Sequence, residues 1–442
     1  MNRRSSILDV RPKSNCGFVR GFVWVALVGF LCVTVPPARS QGESNEELKE
    51  TVRKLAGQVQ QLQGRVSELE GNRMVEMSSA GLASGNPLEM APAISPGAPS
   101  PASSPVPAQE AGHSMEIPGG PVMHIRGFSD ADFVGTNQKG VTNTFAIGAL
   151  DMFVTSKISE KFSMLSEINF EAGEDNGMAV DLERLLLTYS ANDHFQLSFG
   201  RYHTAIGYYN TAFHHGTWFQ TATGRPLLFF FEDGGGPLPV HNVGMSLTGT
   251  VPSGKLDLHY IAEIGNGRPA RTPQNTTVQN SQDENNGKSF NLGFYARPDW
   301  ASGLQFGASV YYDHLIPNAL TRVHEYIPAV HIVYITPKFE FMNEGVWIRH
   351  QVDNGGRVYN SPGFYTQISR QWAKYRPYFR YQYVNISATE PVLADIGRQD
   401  GPSVGLRYEW SDFAAFKIQY DRNYRRGLQD YDSVSGQMAF TF

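Results

Sequence analysis

The chain has 442 residues, two cysteines, 37 Lys and Arg, and 42 Asp and Glu. A mean hydropathy of −0.32, with no apolar run of spanning length beyond the N-terminus, excludes a polytopic helical membrane protein. Phe and Tyr together number 47, a composition suited to strands.

Residues 1–40 read as a secretory signal. Arg3, Arg4, Arg11, Lys13 and Arg20 form a basic region, 22–35 is apolar, and Ala38 and Ser40 supply small residues before Gln41. An uncleaved anchor is the alternative, because the basic region is long. Lipidation at Cys32 is disfavoured by the large Leu31 before it. Both cysteines, Cys16 and Cys32, fall in this segment, so the remainder must be held by packing or by a closed hydrogen-bond ladder. The segment also holds six of the basic residues and one of the acidic ones. What remains is 31 basic against 41 acidic, or −10, which argues against a nucleic-acid partner.

Residues 41–73 carry a heptad seam. Leu48, Val52, Leu55, Val59, Leu62, Val66 and Leu69 alternate at spacings of four and three, with Gly57, Gly64 and Gly71 on the outer face. The spacing predicts a short coiled-coil oligomerisation segment; a single amphipathic helix lying on its own domain is the alternative. Val at a with Leu at d leans toward two strands, which a self-associating neighbour domain can override. Residues 74–121 are rich in Pro, Ala and Ser, including Pro87, Pro92, Pro96 and Pro99. This stretch reads as a disordered, semi-extended linker.

From 122 to 442 the period becomes two. Sixteen segments alternate, roughly 123–134, 144–156, 162–172, 179–190, 194–202, 242–251, 255–265, 289–297, 303–313, 323–336, 338–350, 362–371, 375–386, 401–410, 414–424 and 432–442. In the last of them Val434, Gly436, Met438, Phe440 and Phe442 share one face, and Ser433, Ser435, Gln437, Ala439 and Thr441 the other. Connections after even-numbered segments are short (Asn192-Asp193, Pro298-Asp299, Ser411-Asp412), and those after odd-numbered ones are mostly longer. This asymmetry predicts an all-β fold: a closed antiparallel transmembrane β-barrel of about sixteen strands, with short turns at one end and long loops at the other. Tyr311, Tyr312, Phe339, Phe341, Tyr408 and Trp410 are placed to form interface girdles.

With its signal, coiled coil, sixteen alternating segments and terminal Phe442, the chain resembles the phosphate-selective porin O and P family of bacterial outer-membrane porins. The resemblance implies an outer-membrane barrel surrounded by lipid, a homotrimer, an N-terminal segment in the periplasm, and passive diffusion of small polar solutes or ions, with anions such as phosphate among the candidates. The family's anion-binding arginines and lysines have no residue-by-residue match here. The resemblance also implies that the longest connection, 203–241, folds into the lumen as a constriction; an outward lid or oligomer latch is the alternative. Its apolar content favours the lumen: Phe213, Trp218, Phe219 and the run 227–231 are ill suited to water. Arg225, Glu232 and Asp233 are candidates to face the channel, with His214 and His215 beside them.

Neither a cofactor nor a metal is expected. His203, His214, His215 and His241 read as hydrogen-bonding loop histidines, since adjacent histidines rarely converge on one ion. No hydrolase, zinc-protease or phosphate-loop motif is present, so an enzyme is not expected. Two other functions compete with the diffusion channel. One is an envelope tether reaching the cell wall through the coiled coil. The other is a sugar-specific channel with Trp218, Tyr208 and Tyr209 as a stacking path. Charge is split along the barrel: 122–265 holds 8 basic and 15 acidic residues, 357–442 holds 11 and 8. The register predicts a basic lumen wall (Arg126, Arg376, Arg380, Arg407, Lys417) and an acidic one (Asp151, Glu167, Glu171, Asp257, Glu263).

Overall fold

The computed structural model describes residues 114–115, 121–172, 177–213, 216–232, 234–269, 280–318 and 321–442. The signal, the heptad seam and most of the linker lie outside the described residues. After a two-residue strand β1 (Ser114–Met115), sixteen strands follow. They are β2 (Val122–Thr136), β3 (Thr144–Lys157), β4 (Phe162–Ala172), β5 (Met178–Asn192), β6 (Phe195–His203), β7 (His241–Val251), β8 (Leu258–Gly265) and β9 (Ser289–Ala296). The second half comprises β10 (Leu304–Asn318), β11 (Thr321–Ile335), β12 (Phe339–Val352), β13 (Val358–Arg370), β14 (Tyr375–Asn385), β15 (Arg398–Ser411), β16 (Ala414–Arg425) and β17 (Tyr431–Thr441).

Each strand pairs antiparallel with its successor, and β17 returns to β2 with Thr441 opposite Phe128, so the sheet closes. Closure satisfies every edge, which removes the need for disulfides. β1 pairs with β2 at Met123 and His124, so the end of the expected linker adds to the barrel. The expected alternation of connections holds with three departures, one of them the turn after β7, which spans 252–257 instead of 252–254. The turn after β9 spans 297–303 instead of Pro298-Asp299 alone, and β10 and β11 are joined by only two residues.

Polarity is inverted relative to a water-soluble fold. On β11, Val330, Ile332 and Tyr334 are exposed while Glu325 and His331 are buried. On β5, Val180, Leu182, Leu185 and Leu187 are exposed, with Glu183 and Arg184 inward. The bulge where Ile168 meets Leu182 shifts β5 by one residue, so apolar residues stay outward on both sides of it. An exposed apolar band running round a closed barrel suits a hydrocarbon surrounding. Phe162, Phe195, Trp300, Trp372, Tyr375, Trp410 and Phe413 are exposed around the short turns, as an interface girdle requires. Tyr311 corrects the expected girdle. Odd positions of β10 point inward, so it is fully buried and its hydroxyl donates to Asp313 Oδ2 at 2.9 Å.

Candidate functional site: the loop inside the barrel

The loop between β6 and β7, 204–240, lies within the barrel. Thr204 N–H donates to Val240 O at 2.8 Å and ties its two ends. Glu263 of β8 receives Ala205 N–H at 3.0 Å, and Asn291 of β9 donates to Ala205 O at 3.1 Å. Gly207 has φ +73°, and a Cβ there would lie 2.3 Å from Glu344 Oε2, so glycine is what lets the backbone close on that carboxylate. Glu344 of β12 then accepts Tyr208 N–H at 2.5 Å, Tyr209 N–H at 2.9 Å and the Tyr365 hydroxyl at 2.7 Å. The two N–H groups open a short helical turn, Tyr209–Ala212, where no intrahelical acceptor exists for them.

The apolar part of the loop has found a core. Ile206, Tyr209, Phe213, Leu228, Phe229 and Leu238 are buried against inward residues of β10 to β14, among them Ile327, Met342 and Tyr365. Tyr209 stacks on Phe229 with centroids 5.4 Å apart, and Tyr365 meets both rings edge-on. This packing is why the run 227–231 tolerates its composition. It also corrects the stacking path: Tyr208 and Tyr209 are sealed in this cluster, and only Trp218 stays half-buried.

The loop tip crosses to the seam between β17 and β2. Phe219 packs on Phe128 of β2 at 4.8 Å, and Thr223 Oγ1 lies 2.7 Å from Ser435 Oγ of β17. Three cations of the expected basic wall meet the tip from β14, β15 and β16. Arg380 donates to Gly224 O from both terminal nitrogens, at 3.2 and 3.3 Å. Arg407 donates to Trp218 O at 2.5 Å and Gln220 O at 2.9 Å. Lys417 donates to Thr217 O at 2.7 Å and Ala222 O at 3.4 Å. All three face inward as expected, but their donors hold backbone carbonyls instead of lining an open channel. Arg376 sits apart near the short turns, bonded to Pro337 O and Ser369, and Arg126 is exposed on the inward face of β2.

On the acidic side, Asp151 and Glu167 are buried inward, Glu167 is paired with Arg184 at 2.5 Å, and Glu171 receives Asn169 at 3.1 Å. Asp257 departs from expectation. β8 begins at Leu258, so Asp257 lies in the preceding turn with φ +47° and pairs with His259 at 3.0 Å. Glu263 faces inward and is committed to the loop foot.

Arg225 and Glu232 were expected in the channel and instead sit inside the loop's own packing. The Arg225 guanidinium lies 4.1 Å from the Phe231 centroid and 5.1 Å from that of Tyr209, donating to Phe213 O and Phe229 O. Burial pulls its pKa below the usual guanidinium value, opposed by Tyr209, Glu183, Glu232 and Glu167. Glu232 accepts His241 N–H at 2.7 Å. His214, His215 and Asp233 lie outside the described residues.

Sequence reasoning missed the carboxylates that receive the loop. Glu340 accepts Thr221 Oγ1 at 2.9 Å, and like Glu344 it points inward from β12; their spacing of four on one strand was the available signal. Arg268, beyond β8, was also missed. It donates to Pro237 O at 2.8 Å and pairs with Glu325 of β11, holding the returning arm of the loop. Burial opposes its charge, but Glu325, together with Tyr311 and Glu232, outweighs this and raises its pKa above the ordinary value.

No protein-family model and no curated sequence matches the chain. Solved structures do match over the barrel. The anion-selective porin from Comamonas acidovorans is 11% identical with a TM-score of 0.52, over 72% of this chain and 99% of that one. OmpF of Salmonella typhi, in complex with daunomycin, is 11% identical with a TM-score of 0.51, over 75% and 100%. The outer membrane channel DcaP of Acinetobacter baumannii is 10% identical with a TM-score of 0.51, over 75% and 100%. The described residues therefore have the fold of the outer-membrane porins.

Proposed function

We propose that the protein is a channel of the bacterial outer membrane for passive diffusion of small hydrophilic solutes and ions. The observation that carries this reading is a polar-lined closed barrel with an apolar exterior and a long loop fastened across its lumen. Transport needs no covalent step: the lumen replaces bulk water, and the loop restricts the free cross-section. Phosphate selectivity gains no support, because Arg380, Arg407 and Lys417 direct their donors to loop carbonyls. The buried state of Tyr208 and Tyr209 counts against a sugar-stacking path. A homotrimer held by the heptad seam, and a tethering contact of that seam with the cell wall, belong to the same proposal. They concern residues outside the described ones.

The test is planar-bilayer conductance of the purified protein and of a variant lacking 217–224. A short glycine-serine bridge in place of 217–224 rejoins the two arms, which Arg225 already links by donating from Nη1 to Phe213 O at 3.2 Å. Ohmic steps that grow on deletion are expected. A folded parent that gives no steps would remove the channel reading and leave the tether.

A further inference from the structure

A group of side chains at the foot of the loop has no part in fastening its tip. His203 ends β6 and His241 begins β7, directly opposite each other in the ladder, and Glu183 projects beside them from β5. Sequence reasoning treated these histidines as separate hydrogen-bonding groups. The fold brings them together: their rings stand edge-on with centroids 4.9 Å apart, and all three residues are buried.

We propose that Glu183, His203 and His241 form a binding site for a first-row divalent metal ion, with zinc the best fit. One ligand atom from each lies within 4.8 Å of the other two, and His241 Nε2 is 2.6 Å from Glu183 Oε2. Two imidazoles and one carboxylate are a donor set that zinc accepts, with a further position left for water. The outward nitrogen of each ring is engaged in the way such sites require. His203 Nδ1 lies 3.1 Å from Asn210 O. A carbonyl only accepts, so this nitrogen carries the hydrogen, which leaves Nε2 as the nitrogen that can bind a metal. His241 Nδ1 lies 3.1 Å from Glu232 Oε2, giving a carboxylate–histidine pair behind the ligand. Glu232 is itself fixed through its other oxygen by His241 N–H at 2.7 Å and Asn280 Nδ2 at 3.1 Å. One ion here would join both ends of the loop to β5. Glu183 as ligand and Glu232 behind His241 supply negative charge for the ion, shared with the nearby Arg225 guanidinium.

The competing arrangement is a protonated His241 shared by Glu183 and Glu232, with His203 a bystander. The two differ in what His203 does. A second histidine cluster, His314 and His324 with Asp353, sits half-buried on the outer face of β10 and β11 and must be silenced first. The experiment uses the full chain in detergent, carrying His314→Ala and His324→Ala, stripped with a chelator. It is then titrated with Zn2+ against a chromophoric competitor and with Co2+ by visible absorption. One tight equivalent per chain and a tetrahedral or five-coordinate cobalt spectrum are expected. His203→Gln should weaken zinc binding by 100-fold or more, and Glu232→Gln, which removes only the support, by about 10–100-fold. A heat-induced shift in electrophoretic migration at the parent's temperature shows that each variant is folded, and Glu232→Gln serves if His203→Gln fails to fold. Absence of tight zinc binding in the parent, or unchanged affinity in a folded His203→Gln, overturns the proposal. The titration reads binding whether or not the barrel conducts, so its failure and that of the channel reading are separable.

Discussion

Replacing Arg380, Arg407 and Lys417 together by Met keeps the apolar stems and removes the donors beneath the loop tip. In the parent they reach the carbonyls of Thr217, Trp218, Gln220, Ala222 and Gly224 at 2.5–3.4 Å, and all three side chains are buried. A hydrogen bond to a charged group contributes about 1.5–3 kcal/mol net. Setting aside the long contact to Ala222, four acceptors give on the order of 6–12 kcal/mol. Besides the packing of Phe219 on Phe128, the tip's other hydrogen bonds include Thr223 with Ser435, the Thr223 N–H shared by Gln419 and Tyr378, Thr221 with Glu340, and Leu227 with Gln382. At about 1 kcal/mol each these supply roughly 4 kcal/mol, so the cations hold the larger share. Released carbonyls recover hydration, and even if half the loss is returned, at least about 3 kcal/mol of docking is gone. The tip should then leave the wall in a substantial fraction of molecules. Single-channel recording should show larger or rapidly fluctuating steps. Arg376→Met is the matched control: it removes a cation from the same wall without touching the loop, and should leave the step size alone. A folded triple variant with the parent's conductance and noise would refute the clamp.

Gly207→Ala should loosen the loop foot, because the new Cβ collides with Glu344 Oε2 and φ stays at +73°. The expected readout is faster chymotryptic cleavage at the loop aromatics, and unchanged cleavage would count against the Glu344 anchor. Val330→Arg places a charge on the outer apolar band; it should cost about 2–4 kcal/mol in lipid-vesicle unfolding if it lies near the midplane. A loss below about 0.5 kcal/mol, usual for a water-facing surface, would place Val330 outside hydrocarbon. Leu55→Asp with Leu62→Asp should reduce heat-resistant oligomers and leave conductance per channel intact; a collapsed conductance with intact oligomers would contradict a seam that serves assembly alone.

The barrel was legible because its signal is local. Alternation, turn residues and connection length each report on neighbours in sequence, and a strand such as Tyr375–Asn385 needs no distant partner to show its faces. The inward course of the long loop was legible from its apolar run, since Leu228 and Phe229 require a core somewhere. The loop's attachments were not legible. That Arg407 meets Trp218 O, or that Glu344 meets Tyr208 N–H, depends on where backbone groups arrive after a path across the lumen. Backbone donors and acceptors carry no residue signature. An inward charge therefore reads the same whether it faces water or holds a carbonyl. For that reason the register puts Arg380 on the polar face of its strand and assigns it no neighbour.

The closing seam has a consequence for the order of assembly. Gly127 and Phe442 exchange backbone hydrogen bonds at 2.9 and 3.0 Å, and Thr441 Oγ1 donates to Gly127 O across 314 positions of sequence. A Cβ at position 127 would lie 2.2 Å from the Phe442 ring, so the aromatic fills the place where a side chain would stand. Every other strand pairing of the barrel joins neighbours along the chain and can begin to form as soon as both have been made. This one joins groups 314 positions apart, and it carries the largest chain-closure entropy of the set. Until it forms, β2 and β17 each present an open row of donors and acceptors, in a chain that also bares an apolar band. The interval between making β16 and seating Phe442 is therefore when the protein is most exposed to pairing with a second copy. A chaperone that covers a free edge would act most usefully in that interval.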